Sequence, residues 1–241
     1  MKIKATKAWV LEMAKVIGAI AGKPVFHTAT ITLQDKALLV RIADESHTVA
    51  QESKFTPPEI EGEDGEEITF STQVFHDIVG RMNDAIVVVE TVEDNSKLSI
   101  RTTKKEGMMK LEAEPVSTDK VPKLENDSMM KLTIDDKELK DIVTDASSAD
   151  ADSFVFELVG GKISVEVGDL IQGKKRYTTT LEAKLPESDK TIRQMYGPYF
   201  ASLVKVLEGE VTLRFGQSMP IELSVSKDTY TARFVYAPRT E

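Results

Sequence analysis

The chain has 241 residues, 41% of them hydrophobic but only 6% aromatic, so its core must be built from aliphatic side chains. It contains no cysteine, which excludes a disulfide scaffold, a thiol nucleophile and a thiolate metal site. A formal net charge of −9 argues against a tight, non-specific nucleic-acid binder, which is ordinarily basic.

The opening, MKIKATKAWVLEMAKVIGAIAG, has the outline of a secretion signal. Glu12 and Lys15 interrupt its apolar stretch, however, and no small-residue cleavage site follows. It reads instead as a strand and an amphipathic helix. Val10, Met13, Ala14 and Ile17 stand at i, i+3, i+4 and i+7, which puts four apolar side chains on one helix face. The period then changes to two. ATITLQDKALLVRIA reads as two strands around a turn, with further strands at Thr48–Phe55 and Glu67–Phe70. Before the last of these, the run Glu59–Glu67 carries six carboxylates in nine residues and is expected to be a solvated loop.

The helix signature returns at Phe75, Ile78, Val79 and Met82, followed by IVVVETVEDNSKLSIRT as a second hairpin and a strand at Met108–Glu114. It returns at Leu139, Ile142, Val143 and Ala146, followed by FVFELVGGKISVEV, whose Gly160-Gly161 signals a tight turn, and by Tyr177–Leu185. The last occurrence is Phe200, Leu203, Val204 and Leu207, followed by VTLRFGQSMPIELSV and by Thr229–Tyr236. Four residues ahead of the first three stripes stand Thr6, Ser71 and Asp135, good helix N-caps, and Asp135 with Glu138 resembles a capping box. The fourth helix opens on Gly197-Pro198, and proline suits a first helical turn.

The four units pair into two similar halves: Met1-Lys2-Ile3 matches Met130-Lys131-Leu132 at an offset of 129. The expected fold is α+β, with four helix-plus-antiparallel-strand repeats in two domains, 1–114 and 129–241. PVSTDKVPKLENDS, Pro115–Ser128, is polar, proline-bearing and aperiodic, and reads as the connector 115–128. The final strand is broken by Ala237-Pro238.

With these features the chain resembles the sliding clamps of the proliferating cell nuclear antigen (PCNA) family over nearly its whole length. The carriers are the fourfold unit, the connector, IADESHT after the second hairpin strand, and the ending YAPRTE. IADESHT is similar to the family's Asp-x-Ser-His segment and YAPRTE to its Leu-Ala-Pro-Lys/Arg terminus. The short tail after Arg239 looks more like archaeal members. The resemblance implies a head-to-tail ring of three subunits around duplex DNA, with the helices lining the hole and the sheets outside. It implies a cytoplasmic, nucleoid-associated replication and repair factor. Polymerase, nuclease, ligase and clamp loader would bind through short motifs, without a cofactor or catalysis of its own.

Open strand edges invite pairing, and a heterologous contact between two edges closes into a ring if the rotation permits. The candidate edges are Gly107–Glu114, with Met109 and Leu111, and Arg176–Leu185, with Tyr177, Thr179 and Leu181. The resemblance places a partner groove at Ala43, His47, Thr48, Val121, Pro122, Met219, Pro220, Tyr236, Ala237, Pro238 and Arg239. There a one-turn helix would anchor aromatic side chains, while the tail beyond Pro238 pairs with the partner's backbone. It places Lys7, Lys15, Arg81, Lys137, Lys140, Arg193 and Lys205 toward DNA. That lining is thin, and Asp135, Asp136, Glu138 and Asp141 partly cancel it, so loose contacts with encircled DNA are expected.

Catalytic signatures are absent. His27, His47 and His76 are far apart and form no metal-ligand spacing, and no GxxxxGK[ST] or GxGxxG occurs. SSADADS, Ser147–Ser153, has oxygens for a cation but not the EF-hand spacing. Trp9 either edges the core or faces the hole. Beside the clamp stands a second reading: a clamp-fold interaction adaptor, or one subunit of a mixed ring that does not load on DNA alone.

Overall fold

Each apolar stripe closes into a helix: α1 Lys7–Gly18, α2 Thr72–Gly80, α3 Asp136–Ser148 and α4 Tyr199–Val206. In this computed structural model all residues are described except 21, 23, 45, 113, 117–120, 125–128, 169–175, 182–190 and 240–241. Every stripe position is buried except Ile78, which is half-buried. Ile78 lies over Gly107, where an added Cβ would stand 2.6 Å from its Cγ2. The helix starts differ in how they are capped. Thr6 Oγ1 accepts from the Trp9 N–H, and the Asp135 carboxylate accepts from the Lys137 N–H, but Ser71 makes no side-chain cap bond. α4 begins just after Pro198, which fixes the backbone of the entry instead.

The strands are β1 Lys2–Thr6, β2 Thr28–Gln34, β3 Ala37–Ala43, β4 Val49–Phe55, β5 Glu59–Glu61, β6 Glu67–Ser71, β7 Ile86–Val92, β8 Lys97–Arg101 and β9 Glu106–Lys110. They continue as β10 Met130–Asp135, β11 Phe154–Val159, β12 Lys162–Gly168, β13 Arg176–Leu181, β14 Ile192–Tyr196, β15 Glu210–Phe215, β16 Ile221–Ser226 and β17 Tyr230–Tyr236.

The chain divides into two units. The first comprises Met1–Val121 and Lys227–Ala232, and the second Pro122–Ser226 and Arg233–Glu241. In the first, the strand order β1-β7-β8-β9 stands beside the run β6-β2-β3-β4. In the second, β10-β15-β16 repeats the former and β14-β11-β12-β13 repeats the latter. Within each unit the two helices pack side by side, α1 with α2 and α3 with α4. The α+β class and the fourfold repeat are therefore present in the strand order itself.

One element departs from expectation. Part of the acidic run is not loop but strand β5, paired antiparallel to β1 in the register Lys2↔Glu61 and Lys4↔Glu59. The lysine ammoniums meet those carboxylates at 2.9 Å in both pairs. Cross-strand pairing of opposite charges thus holds a segment whose composition reads as solvated. Trp9 is settled as a core residue, buried and edge-on to Phe55 at 6.4 Å, while Phe55 stacks on Tyr230 at 5.6 Å.

Candidate functional site

The end of the second unit forms a ledge. Tyr236 is buried, with its ring 6.2 Å from Tyr196 and 6.1 Å from Tyr199. Its hydroxyl lies over Gly197, where any Cβ would come within 2.6 Å of it. Tyr196 in turn donates its O–H to the Met219 carbonyl at 3.1 Å. Burial raises the pKa of both phenols, against which the backbone N–H groups of Gly197 and Tyr199 act at Tyr236, so both rings stay neutral struts. Half-buried Met219, Pro220, Ala237 and Pro238 complete a small surface of apolar groups.

The tail after this ledge is held down. The Arg239 backbone N–H donates to the Met195 carbonyl at 2.9 Å, on the edge strand β14. Its guanidinium reaches the Asp152 carboxylate at 2.9 Å and the Ser153 hydroxyl at 3.0 Å. Hydrogen bonds from Arg239 and Ser153 keep the Asp152 carboxyl below its ordinary value. Arg239's backbone donor is thus engaged within its own unit, and the Asp152 carboxylate of SSADADS meets the Arg239 guanidinium. Among the described residues no cluster of His, Cys, Asp or Glu is suited to a metal ion.

Pro122 is tied into the same unit. Arg233 Nη1 donates to its carbonyl at 2.7 Å and to Glu222 at 3.2 Å, and Arg214 approaches the other Glu222 oxygen at 3.4 Å. Glu222 is 3% exposed, a buried carboxylate compensated by two cations from neighbouring strands.

Ala43, His47, Thr48 and Val121 belong to the first unit. The turn that carries His47 and Thr48 is organised by Asp44, the aspartate of IADESHT, to which the sequence assigned no role of its own. Its carboxylate accepts from the Val49 N–H at 2.6 Å, the Thr48 hydroxyl at 2.9 Å and the Ser46 hydroxyl. Burial alone would raise its pKa, but these hydrogen bonds outweigh burial and hold it below the ordinary value. The turn carries exposed His47 with φ 54°, outside the conformations most residues take readily. At the other end of this unit's chain, the Val116 N–H donates to Thr30 Oγ1 at 2.8 Å and Val121 is buried.

The basic set divides. Lys15, Arg81, Lys137 and Lys205 are exposed on or next to helices and make no ion pair among the described residues. Lys7 instead donates to the carbonyls of Gly80 (3.0 Å) and Met82, closing the end of α2, where a cation is favoured. Lys140 pairs with Asp136 one turn earlier on α3. Arg193 is not on a helix at all. It lies on β14 opposite Glu157 of β11, because TIRQMY keeps strand period up to Gly197-Pro198.

β9 ends one sheet and β13 ends another, so both expected edges exist. Their outward residues are not the expected ones throughout. Met109 and Leu111 are buried at 6% and 7%, and Leu181 at 5%, whereas Met108 is 55% and Tyr177 40% exposed. Thr179 is half-buried. Beyond β9 the chain leaves the edge, since the Glu112 N–H donates to Thr69 on β6 at 2.8 Å. Residues 182–185 of the second expected edge lie outside the described residues.

No protein-family model matches the chain, and no curated protein matches it by sequence. Solved structures do match. PCNA from Entamoeba histolytica has a TM-score of 0.81 at 13% identity, covering 99% of this chain and 98% of that one. The PCNA2–PCNA3 complex from Sulfolobus tokodaii gives 0.80 at 19% identity over 100% of both chains. A. fulgidus PCNA, solved with the C-terminal region of FEN-1 bound, gives 0.80 at 18% identity over 100% and 98%. From first residue to last, this chain has the fold of the PCNA clamps.

Proposed function

We propose that the chain is a DNA sliding clamp: a ring subunit that encircles duplex DNA and tethers replication and repair enzymes without catalysing a reaction. The observation that carries this reading is the full-length PCNA fold together with two open sheet edges, β9 and β13, one in each unit. Three copies joined edge to edge close a ring by heterologous contacts. Polymerase, nuclease, ligase and clamp loader bind through short motifs on the ledge of Met219, Pro220, Tyr236, Ala237 and Pro238. The bound FEN-1 segment in the A. fulgidus protein supports that mode of binding. Tethering raises the enzyme's local concentration at the primer end, and this is the whole of the clamp's catalytic effect. Exposed Lys15, Arg81, Lys137 and Lys205 supply loose phosphate contacts, few enough to let the ring slide. The two-domain division about the connector and a nucleoid-associated location belong to the same reading. No helix among the described residues is long and apolar enough to cross a membrane.

The test is polymerase product length on primed circular DNA with a loader present. The expected outcome is a marked lengthening that requires the protein. Unchanged product length overturns the reading. For the ledge, a peptide carrying a partner motif is titrated against wild type and Pro238→Glu. An affinity loss of about tenfold or more is expected, as for a residue at the centre of a binding patch. Equal affinities remove the ledge.

A second reading is a mixed ring, favoured by the likeness to a complex of two different PCNA chains. Solution mass decides between them. A self-sufficient ring runs at three times the 26.7 kDa of the chain, and a subunit of a mixed ring runs as a monomer.

A further inference from the structure

β14 stands at the edge of its sheet, and two groups from the same unit cover that edge. Gln217 Oε1 accepts from the Arg193 N–H at 3.0 Å, and the Met195 carbonyl accepts from the Arg239 N–H at 2.9 Å. Covering an edge in this way blocks unwanted strand pairing. The second cover has a further consequence, because Arg239 directly follows the ledge residues Ala237 and Pro238. Proline has no N–H, so beyond Ala237 the first main-chain donor is that of Arg239. While it is docked on Met195, that donor is lost to anything lying on the ledge. The dock is shaped for an arginine. Asp152 accepts from the buried Ser153 hydroxyl at 2.8 Å with one oxygen and from the Arg239 guanidinium at 2.9 Å with the other. Ser153 Oγ accepts from the same guanidinium nitrogen at 3.0 Å. The dock is also weak. The Arg239 and Asp152 side chains are 47% and 64% exposed, and so wet an ion pair contributes little and is screened by salt. A segment outside the sheet, held by one backbone bond and contacts of this kind, opens locally at small cost.

We infer that Arg239 is an autoinhibitory latch on the ledge. Closed, it withholds its own N–H and the Met195 carbonyl, and a partner segment that continues past the ledge as an extended strand binds only the released form. The inference rests on the ledge reading above. Apparent affinity for such a segment is the intrinsic affinity scaled by the fraction released, so loosening the latch tightens binding. A segment that ends on the ledge needs neither group and binds both forms alike. The latch therefore ranks partners by what flanks their anchors, favouring short motifs while it is closed.

The experiment uses two fluorescent peptides without charged side chains that share the same aromatic anchors on one helical turn. Only one of them continues into an extended flank. Each is titrated against wild type, Asp152→Ala, Ser153→Ala and the ledge variant Met219→Glu, and exchange of the Arg239 amide is measured in each free protein. Asp152→Ala is expected to speed that exchange and to tighten the flanked peptide about threefold at low salt, the scale of one exposed ion pair. It leaves the short peptide unchanged, and the gain shrinks as salt opens the wild-type latch. Ser153→Ala, which removes a different acceptor of the same guanidinium, moves both readouts in the same direction. A flanked peptide that binds Asp152→Ala no better than wild type, an equal gain for both peptides, or unaltered exchange overturns the latch. In that failure Met219→Glu still weakens both peptides. If Met219→Glu weakens neither, the ledge reading itself is wrong and the latch falls with it.

Discussion

Gly197 is the residue on which the ledge depends, because nothing larger than hydrogen fits beneath the Tyr236 hydroxyl. Gly197→Ala is expected to cost about 1–3 kcal/mol as an overpacking change. Tyr236→Phe in the same chain, by removing the crowding oxygen, should recover part of that loss in a double-mutant cycle read by thermal unfolding. Additive losses would show that the two do not press on one another. Glu222→Ala should cost about 3–5 kcal/mol, since it leaves Arg214 and Arg233 short of their buried counter-charge. It should also speed amide exchange around residues 121–124, because Arg233 holds the Pro122 carbonyl. Asp44 gives a pH prediction. Its folded-state pKa lies below the ordinary 3.8, so its contribution is complete above that value and is lost as pH falls through the lowered one. Protection of the Val49 amide should therefore hold at neutral pH and disappear only in strong acid, and Asp44→Asn should weaken it at every pH. Of these residues the Gly197-Pro198 pair was visible as a local signal in the chain, and Tyr236 and Pro122 only through the resemblance. Asp44 sits inside a quoted motif yet reads as a loop acid, and Glu222 alternates as if solvent-facing. Their roles depend on partners on other strands, which no local pattern names.

At the scale of elements, the helices and hairpins were legible because burying one face forces a period of 3.6 or 2. Parity is where that signal fails. In the consecutive pair Met108-Met109 either residue suits the inward side, and a slip of one residue exchanges the faces. The exposed apolar groups on the two edges are Met108 and Tyr177. Met108→Glu and Tyr177→Glu are thus expected to leave each chain folded while shifting the solution mass from that of the proposed ring toward 26.7 kDa. The same substitution at Met109 should unfold the unit instead. β5 was missed for a related reason: its carboxylates are read as solvated until the lysines of β1 stand opposite them.

For the whole molecule, the net charge of −9 averages every surface and so hides where cations gather. Only four of the seven expected basic residues are exposed beside helices without an ion pair among the described residues. Reversing two of them, Lys15→Glu with Lys205→Glu, should reduce loader-dependent product length most at low salt and leave peptide binding on the ledge unchanged. A loss of both would indicate a folding defect.

The first unit takes six of its residues, 227–232, from far along the sequence. Thr56 donates its N–H to Thr229 at 2.9 Å, Glu12 meets Lys227 at 2.7 Å, and the ring of Phe55 is covered by Tyr230. Nascent chains emerge amino end first, and early domains ordinarily fold while the rest is still being made. Here that head start is withheld. Until residue 232 has cleared the ribosome, the leading half carries an uncovered aromatic face and an unanswered carboxylate. An interrupted translation product would therefore be a marked target for chaperones and proteases rather than a stably folded half of the molecule.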